Sequence, residues 1–285
     1  MNYGVIREHD LKKPIVKLIY DGVVLITVII VLLCIAPVIW VLLSGFKDIR
    51  EFTVGKNILP NAFDINRYFE TWNRLHFVRY YKNSFFSVAG SVVSAVFFNG
   101  LLGYALSKIK PRGSKIIYGL IMWSLLIPAT TSIVPLFINI NRIGLSGSFI
   151  PLWLSIGANA FYVIMFKNFF DVLPISLVEA AKIDGSTDFQ IFRLIAIPLS
   201  KAIVMVIIMF SINAAWSDFL LPYLVLNNTG LETVMVRLFQ FRTATKATDV
   251  DILRAVTFVM GPPIILFLIF QKQITQVTLH SGIKG

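Results

Sequence analysis

Apolar side chains in this chain come in long runs rather than in the one-faced or alternating patterns of a soluble domain. Residues 22–43 carry no charge over 22 positions, and residues 83–107 carry none over 25. A helix of about 20 apolar residues, rising 1.5 Å per residue, crosses a bilayer. Six such segments can be drawn: 23–43, 85–106, 116–138, 149–166, 202–221 and 255–270. Continuous runs argue against a lipid-facing β-barrel, whose strands alternate in hydrophobicity. The pattern therefore predicts an all-α polytopic membrane protein with six transmembrane helices. Its parts are an N-terminal segment (1–21), a six-span domain (22–272) and a C-terminal tail (273–285).

Composition agrees: 56% of the residues are hydrophobic and 14% are charged, against about 25% charged in soluble domains. The net charge of +11 comes without a basic helix, a zinc-finger spacing or an arginine tract, so nucleic acid is not an expected partner. Basic residues instead mark cytoplasmic loops. The short stretch 108–115 holds Lys108, Lys110, Arg112 and Lys115 with no acid, and the N-terminal segment holds Arg7, Lys12, Lys13 and Lys17. Both termini and the loops between spans two and three and spans four and five are thus expected in the cytoplasm. The full tally is nearly even, with 14 Lys/Arg inside and 12 outside, so the short loop decides the orientation.

The first apolar block lacks a small-residue cleavage site and reads as a retained span. Cys34 within it reads as a small buried hydrophobe, and His9, His76 and His280 share no metal-ligand spacing. Proline and glycine interrupt several spans: Pro128 and Pro135 in the third, Gly90, Gly100 and Gly103 in the second, and Gly261, Pro262 and Pro263 in the sixth, while Pro198 and Pro222 flank the fifth. Each proline frees a carbonyl that needs a partner or a wet cavity in lipid, as in transporters.

The segment 171–200, between the fourth and fifth spans, is amphipathic. Ser176 with Glu179 has the spacing of a capping box for a helix over 177–183. Gly185 is free to take positive φ and end that helix. Thr187 or Asp188 can start a second helix over 189–195, and Pro198 marks the turn into the next span. Ala180 and Ala181 permit close approach, while Phe189 and Phe192 supply an apolar edge. Such a helix–turn–helix suits an interfacial connector or a docking surface for a partner.

The run Glu179-Ala180-Ala181-x-x-Asp184-Gly185, with Phe192 and Pro198 after it, resembles the EAA loop of ABC importer permeases. Asn83-Ser84, Gly103-Tyr104-Ala105-Leu106-Ser107, Pro135-Leu136-Phe137, Trp216-x-Asp218-Phe219 and the closing Ser281-Gly282-Ile283-Lys284-Gly285 extend the likeness over residues 20–285. The chain is most similar to the second permease subunit of maltose-type carbohydrate systems, from which it departs at Ser186 and Ala202.

The resemblance implies a cytoplasmic coupling helix between helices 4 and 5 that docks into an ATPase through Glu179, Ala180, Ala181, Asp184, Gly185, Phe189 and Phe192. It also implies a tail whose Lys284 reaches the ATPase. The implied partners are a homologous second permease, two ATP-binding subunits, an extracytoplasmic solute-binding protein and an oligosaccharide, in a bacterial cytoplasmic membrane. The chain has no Gly-x-x-x-x-Gly-Lys-[Ser/Thr] phosphate loop, so ATP and Mg2+ are expected in the partner and no cofactor in this chain. Trp216 and Asp218 suit either a sugar path, by indole stacking and hydroxyl acceptance, or an interfacial belt. The competing classes are an ion-coupled secondary transporter, an intramembrane enzyme and a non-catalytic membrane-interaction subunit. The nearly charge-free span centres and the absence of paired catalytic groups weigh against the first two.

Overall fold

The computed structural model describes residues 13–55, 57–244 and 247–281. Among these residues it is built of helices and turns, with no strand. In chain order the helices are α1 (Pro14–Ser44), α2 (Ile49–Val54), α3 (Asn66–Leu75), α4 (Phe77–Ile109) and α5 (Ser114–Ser124). A 3-10 turn, Ala129–Ser132, leads into α6 (Ile133–Arg142), then α7 (Ile150–Gly157), α8 (Ala160–Val172) and α9 (Ile175–Ile183). The last five are α10 (Asp188–Leu199), α11 (Lys201–Ser217), α12 (Leu220–Leu226), α13 (Val234–Ala244) and α14 (Asp249–Ser281).

Three of these helices, α1, α4 and the Asp249–Gln271 part of α14, are long and apolar enough to cross a bilayer. Two bent pairs also qualify when each is taken as one span: α7 with α8, bent by 44°, and α10 with α11, bent by 87°. The segment expected over 116–138 is divided. α5 stops at Ser124, and Pro128 takes an extended backbone (ψ 128°) before the chain turns into α6. Proline lacks the N–H that would continue the helix and disfavours helical geometry at the residue before it.

α1 starts at Pro14, ahead of the apolar block, because proline at a first helical position is already set to helical φ. Its most apolar window is unburied among the described residues, and Cys34 is exposed rather than buried as expected. The tail drawn from residue 273 is helical as far as Ser281.

The expected break at Gly261-Pro262-Pro263 does not occur, since α14 runs through it. Pro263 cannot donate to the carbonyl of Val259, one turn earlier. That carbonyl instead accepts the indole N–H of Trp216 at 3.1 Å. Trp216 is 3% exposed and packs its ring against Tyr81 and Phe85. Trp216→Phe keeps an aromatic ring there and orphans the carbonyl. A loss of about 1–3 kcal/mol is expected, readable as a lower thermal midpoint of the purified protein in detergent. An unchanged midpoint would contradict this role.

The described residues fall into two compact units, one within Met1–Arg74 and Lys246–Phe258, the other within Leu75–Thr245 and Val259–Gly285. In the first, Arg254 gathers the chain that leaves α1. Its Nε donates to Gly45 O at 2.6 Å, one Nη donates to Lys47 O at 2.8 Å, and the other meets Asp251 at 2.9 Å. A cation is favoured at such a helix C-terminus, where carbonyls lack intrahelical donors. Tyr68 donates to Leu42 O at 2.6 Å. Burial raises its hydroxyl pKa against the lowering by Thr257 and Arg254, so it serves as a neutral donor.

The second unit holds an aromatic core. Phe166 and Phe170 stack at 5.6 Å, Tyr104 meets Phe170 edge-on at 5.8 Å, and Ile191, Phe192 and Ile207 close around them. Gly103 permits this packing. A Cβ at that position would lie 2.7 Å from Phe166 Cβ and 3.1 Å from Val163 O.

Candidate coupling loop

The loop is held at both ends and exposed in its middle. At its start Asp171 accepts from Ser107 Oγ and from Lys167 Nζ, each at 2.6 Å. Lys108 Nζ donates to Leu173 O at 2.6 Å. These bonds tie the end of α8 to the end of α4.

α9 begins at Ile175 on Pro174, without a side-chain cap, so the capping box expected at Ser176 and Glu179 does not form. Pro174 is already outside the helix at ψ 128°, which makes Ser176 an interior residue of the first turn. The other end follows the expectation. Gly185 has φ +81°, its N–H donates to Lys182 O at 3.0 Å, and Ser186 N–H reaches back to Ala181 O at 2.9 Å. This pair of bonds is a Schellman stop. Thr187 then caps α10 through a reciprocal capping box with Gln190. Lys182 and Asp188 form an ion pair of 3.0 Å across the turn.

Burial divides the loop into two faces. Val178, Ala181, Ile191 and Phe192 enter the aromatic core. Phe192 is 4% exposed, with its ring 5.6 Å from Tyr104 and 6.5 Å from Phe170. The sequence suggested a partner-facing ring. The fold turns it inward because the residues after Gln190 form a π-type turn, Phe192–Ala196, packed on the core. The outward face carries Glu179, Ala180, Asp184 and Gly185, with Ile183 at 86% and Phe189 at 49% exposure. Ile183 was not singled out in the sequence, although its place just before the helix-ending glycine marks it as a projecting position.

The remaining candidates are not brought together with this loop. Trp216 uses its indole N–H within the fold, and the Asp218 carboxylate faces the backbone N–H groups of Phe219, Leu220 and Leu221 at the start of α12. Both polar groups therefore have structural partners. Trp216 also lines an apolar cavity of about 240 Å³ with Met209, Asn213, Pro263 and Phe267. Lys284 lies outside the described residues.

Sequence reasoning passed over Asn99, which lies fully buried in α4. Its amide donates to Ala95 O at 2.9 Å and to Ile156 O at 3.0 Å, and its oxygen accepts from Asn159 N–H at 2.9 Å. These bonds bridge the break between α7 and α8 and satisfy backbone groups that apolar surroundings cannot. The available signal was an amide in the middle of 25 uncharged residues, the other amide, Asn83, standing at their start.

Residues 99–278 match the family of binding-protein-dependent transport system inner membrane components. The diacetylchitobiose uptake system permease protein of Streptomyces coelicolor is 27% identical over 84% of this chain and 81% of its own length. The arabinooligosaccharides transport system permease protein of Bacillus subtilis is 29% identical over 89% of this chain and 92% of its own. In fold, the chain is similar to a chain of a bacterial ABC transporter involved in importing the acidic polysaccharide alginate, with a TM-score of 0.80, 23% identity and coverage of 91% and 98%. This chain belongs to the family of binding-protein-dependent transport system inner membrane components, as a multi-pass membrane subunit of a transport system.

Proposed function

We propose that this chain is one of two homologous permeases in an ATP-driven importer of oligosaccharides, with both termini and the α9–α10 loop in the cytoplasm. The observation that carries the coupling role is the loop's construction. It is braced by Asp171 and Lys108, ended by Gly185 and rooted in the core by Phe192, yet it exposes Ile183, Phe189 and Glu179. A rigid loop with an uncovered apolar tip and an unused carboxylate suits docking into a cleft of a partner protein.

Two ATP-binding subunits would hold ATP and Mg2+ and dock on this loop and on its counterpart in the second permease. Lys284 would add a contact from the tail. A solute-binding protein would deliver sugar from outside. ATP and the loaded receptor would together favour an outward-facing state, and hydrolysis would restore the inward-facing one. The relatives named for diacetylchitobiose and arabinooligosaccharides support carbohydrate as the cargo class.

The test is to purify the membrane complex and identify its chains. A second permease and a P-loop ATPase are expected. Carbohydrate uptake that persists after the ATPase is deleted would refute the proposal and favour an ion-coupled carrier.

A further inference from the structure

The part of the second unit that follows α11 lines, with the start of α4, an open cleft of about 550 Å³ that has no role in the coupling loop. Its volume is within the range of roughly 300–1,000 Å³ common to small-molecule sites. One wall is aromatic: Tyr223 and Phe239 meet edge-on with centroids 5.4 Å apart, and Phe239 is 38% exposed. The rest of the lining is largely polar and includes Arg237, Glu232, Gln240 and Asn227.

Those polar groups are only partly used by the fold. Arg237 lies over the Tyr80 ring at 5.2 Å, and its Nε is buried without a hydrogen-bond partner among the described residues. Glu232 is 4% exposed, and its carboxylate accepts from Gly230 N–H at 3.2 Å. Gln240 donates to Asn227 Oδ1 at 2.8 Å, and Arg237 approaches the Gln240 oxygen only at 3.5 Å. Arg79 stabilises the rim by donating to Gly230 O at 2.9 Å.

The Glu232 carboxylate and the Arg237 fork have more hydrogen-bonding capacity than the bonds above use. With one charge of each sign in the lining, neither an anion nor a cation is favoured. Amides, a carboxylate and a guanidinium in one lining with the exposed Phe239 and the half-buried Tyr223 suit a ring that is apolar on its faces and hydroxylated at its edge. We propose that this cleft is a carbohydrate subsite, which holds an uncharged sugar at the outer mouth of the channel during its transfer from the receptor. The location and the transfer step rest on the importer reading above, while the sugar chemistry rests on the cleft.

The test uses the complete importer, in proteoliposomes for uptake and in lipid nanodiscs for binding, with and without its receptor. Uptake of maltotriose, cellotriose, xylotriose and diacetylchitobiose is measured with receptor, and saturation-transfer NMR reports their binding to the receptor-free complex. The transported sugar is expected to bind, and Glu232→Gln, Gln240→Ala and Phe239→Ala are each expected to weaken binding about tenfold. Phe239→Ala leaves the buried polar groups in place, so it remains informative if Glu232→Gln fails to assemble. Uptake without binding to the receptor-free complex, or binding unaltered by all three variants, overturns the subsite. Variants that lose receptor docking but keep sugar binding also overturn it and assign the cleft to the receptor. Cleft-dependent binding without any uptake supports the subsite and refutes the importer reading; absence of both refutes both.

Discussion

Gly185→Val should reduce receptor-stimulated ATP hydrolysis and sugar uptake by at least about tenfold, while leaving insertion and assembly of the spans intact. The expectation follows from the backbone alone. At φ +81° an L-residue pays about 1–2 kcal/mol, and a β-branched residue is a stronger outlier. About 1.4 kcal/mol is a factor of ten in population. A Cβ at Gly185 meets no atom within 4 Å, so crowding inside this chain adds nothing. The substitution instead unwinds the Schellman stop, whose bonds run from Gly185 to Lys182 and from Ser186 to Ala181. Ile183 and Phe189 then lose their fixed separation. Asparagine tolerates the left-handed region, so Gly185→Asn should retain most of the activity. Equal loss in both variants would show that the side chain, rather than the turn, is what matters. Full coupling in the valine variant would remove the turn from the mechanism.

The second large effect is expected at Asn99. Asn99→Leu preserves approximate size but removes three hydrogen bonds at a buried position. The Ile156 carbonyl and the Asn159 N–H are then unpaired on either side of the α7–α8 break, at about 1–3 kcal/mol each. A steep drop in thermal midpoint is expected, together with poor recovery from the membrane. Ser91, two turns earlier in the same helix, provides the contrast. Its hydroxyl is buried with no hydrogen-bond partner among the described residues. Ser91→Ala should therefore be neutral or slightly stabilising. Equal thermal midpoints for the Asn99 and Ser91 variants would show that the bridge contributes nothing.

The helical class, most spans and the stop at Gly185 were legible because each rests on a local property, either a long apolar run or a glycine after a short amphipathic helix. Other features depend on which of several local options the rest of the chain selects. Two Ser/Thr-x-x-Glu/Gln patterns lie in the loop. Ser176 with Glu179 is unused because Pro174 starts the helix earlier, whereas Thr187 with Gln190 forms. Pro262 and Pro263 looked like a break, and Pro128 looked no different. Only the first pair has a tryptophan N–H near the freed carbonyl. Phe192 and Phe189 are three residues apart and chemically alike, yet one is 4% and the other 49% exposed. Hydropathy cannot distinguish them, because the π-type turn decides which ring faces the core.

The 87° bend at Ser200 would set the direction in which a push on the proposed coupling loop reaches α11. A displacement along the axis of α10 projects only about 5% onto the axis of α11, the cosine of that angle. Such a push cannot drive α11 lengthwise like a piston. Under the coupling role proposed above, it would press sideways on the near end of α11 and tilt the helix rather than slide it along its axis.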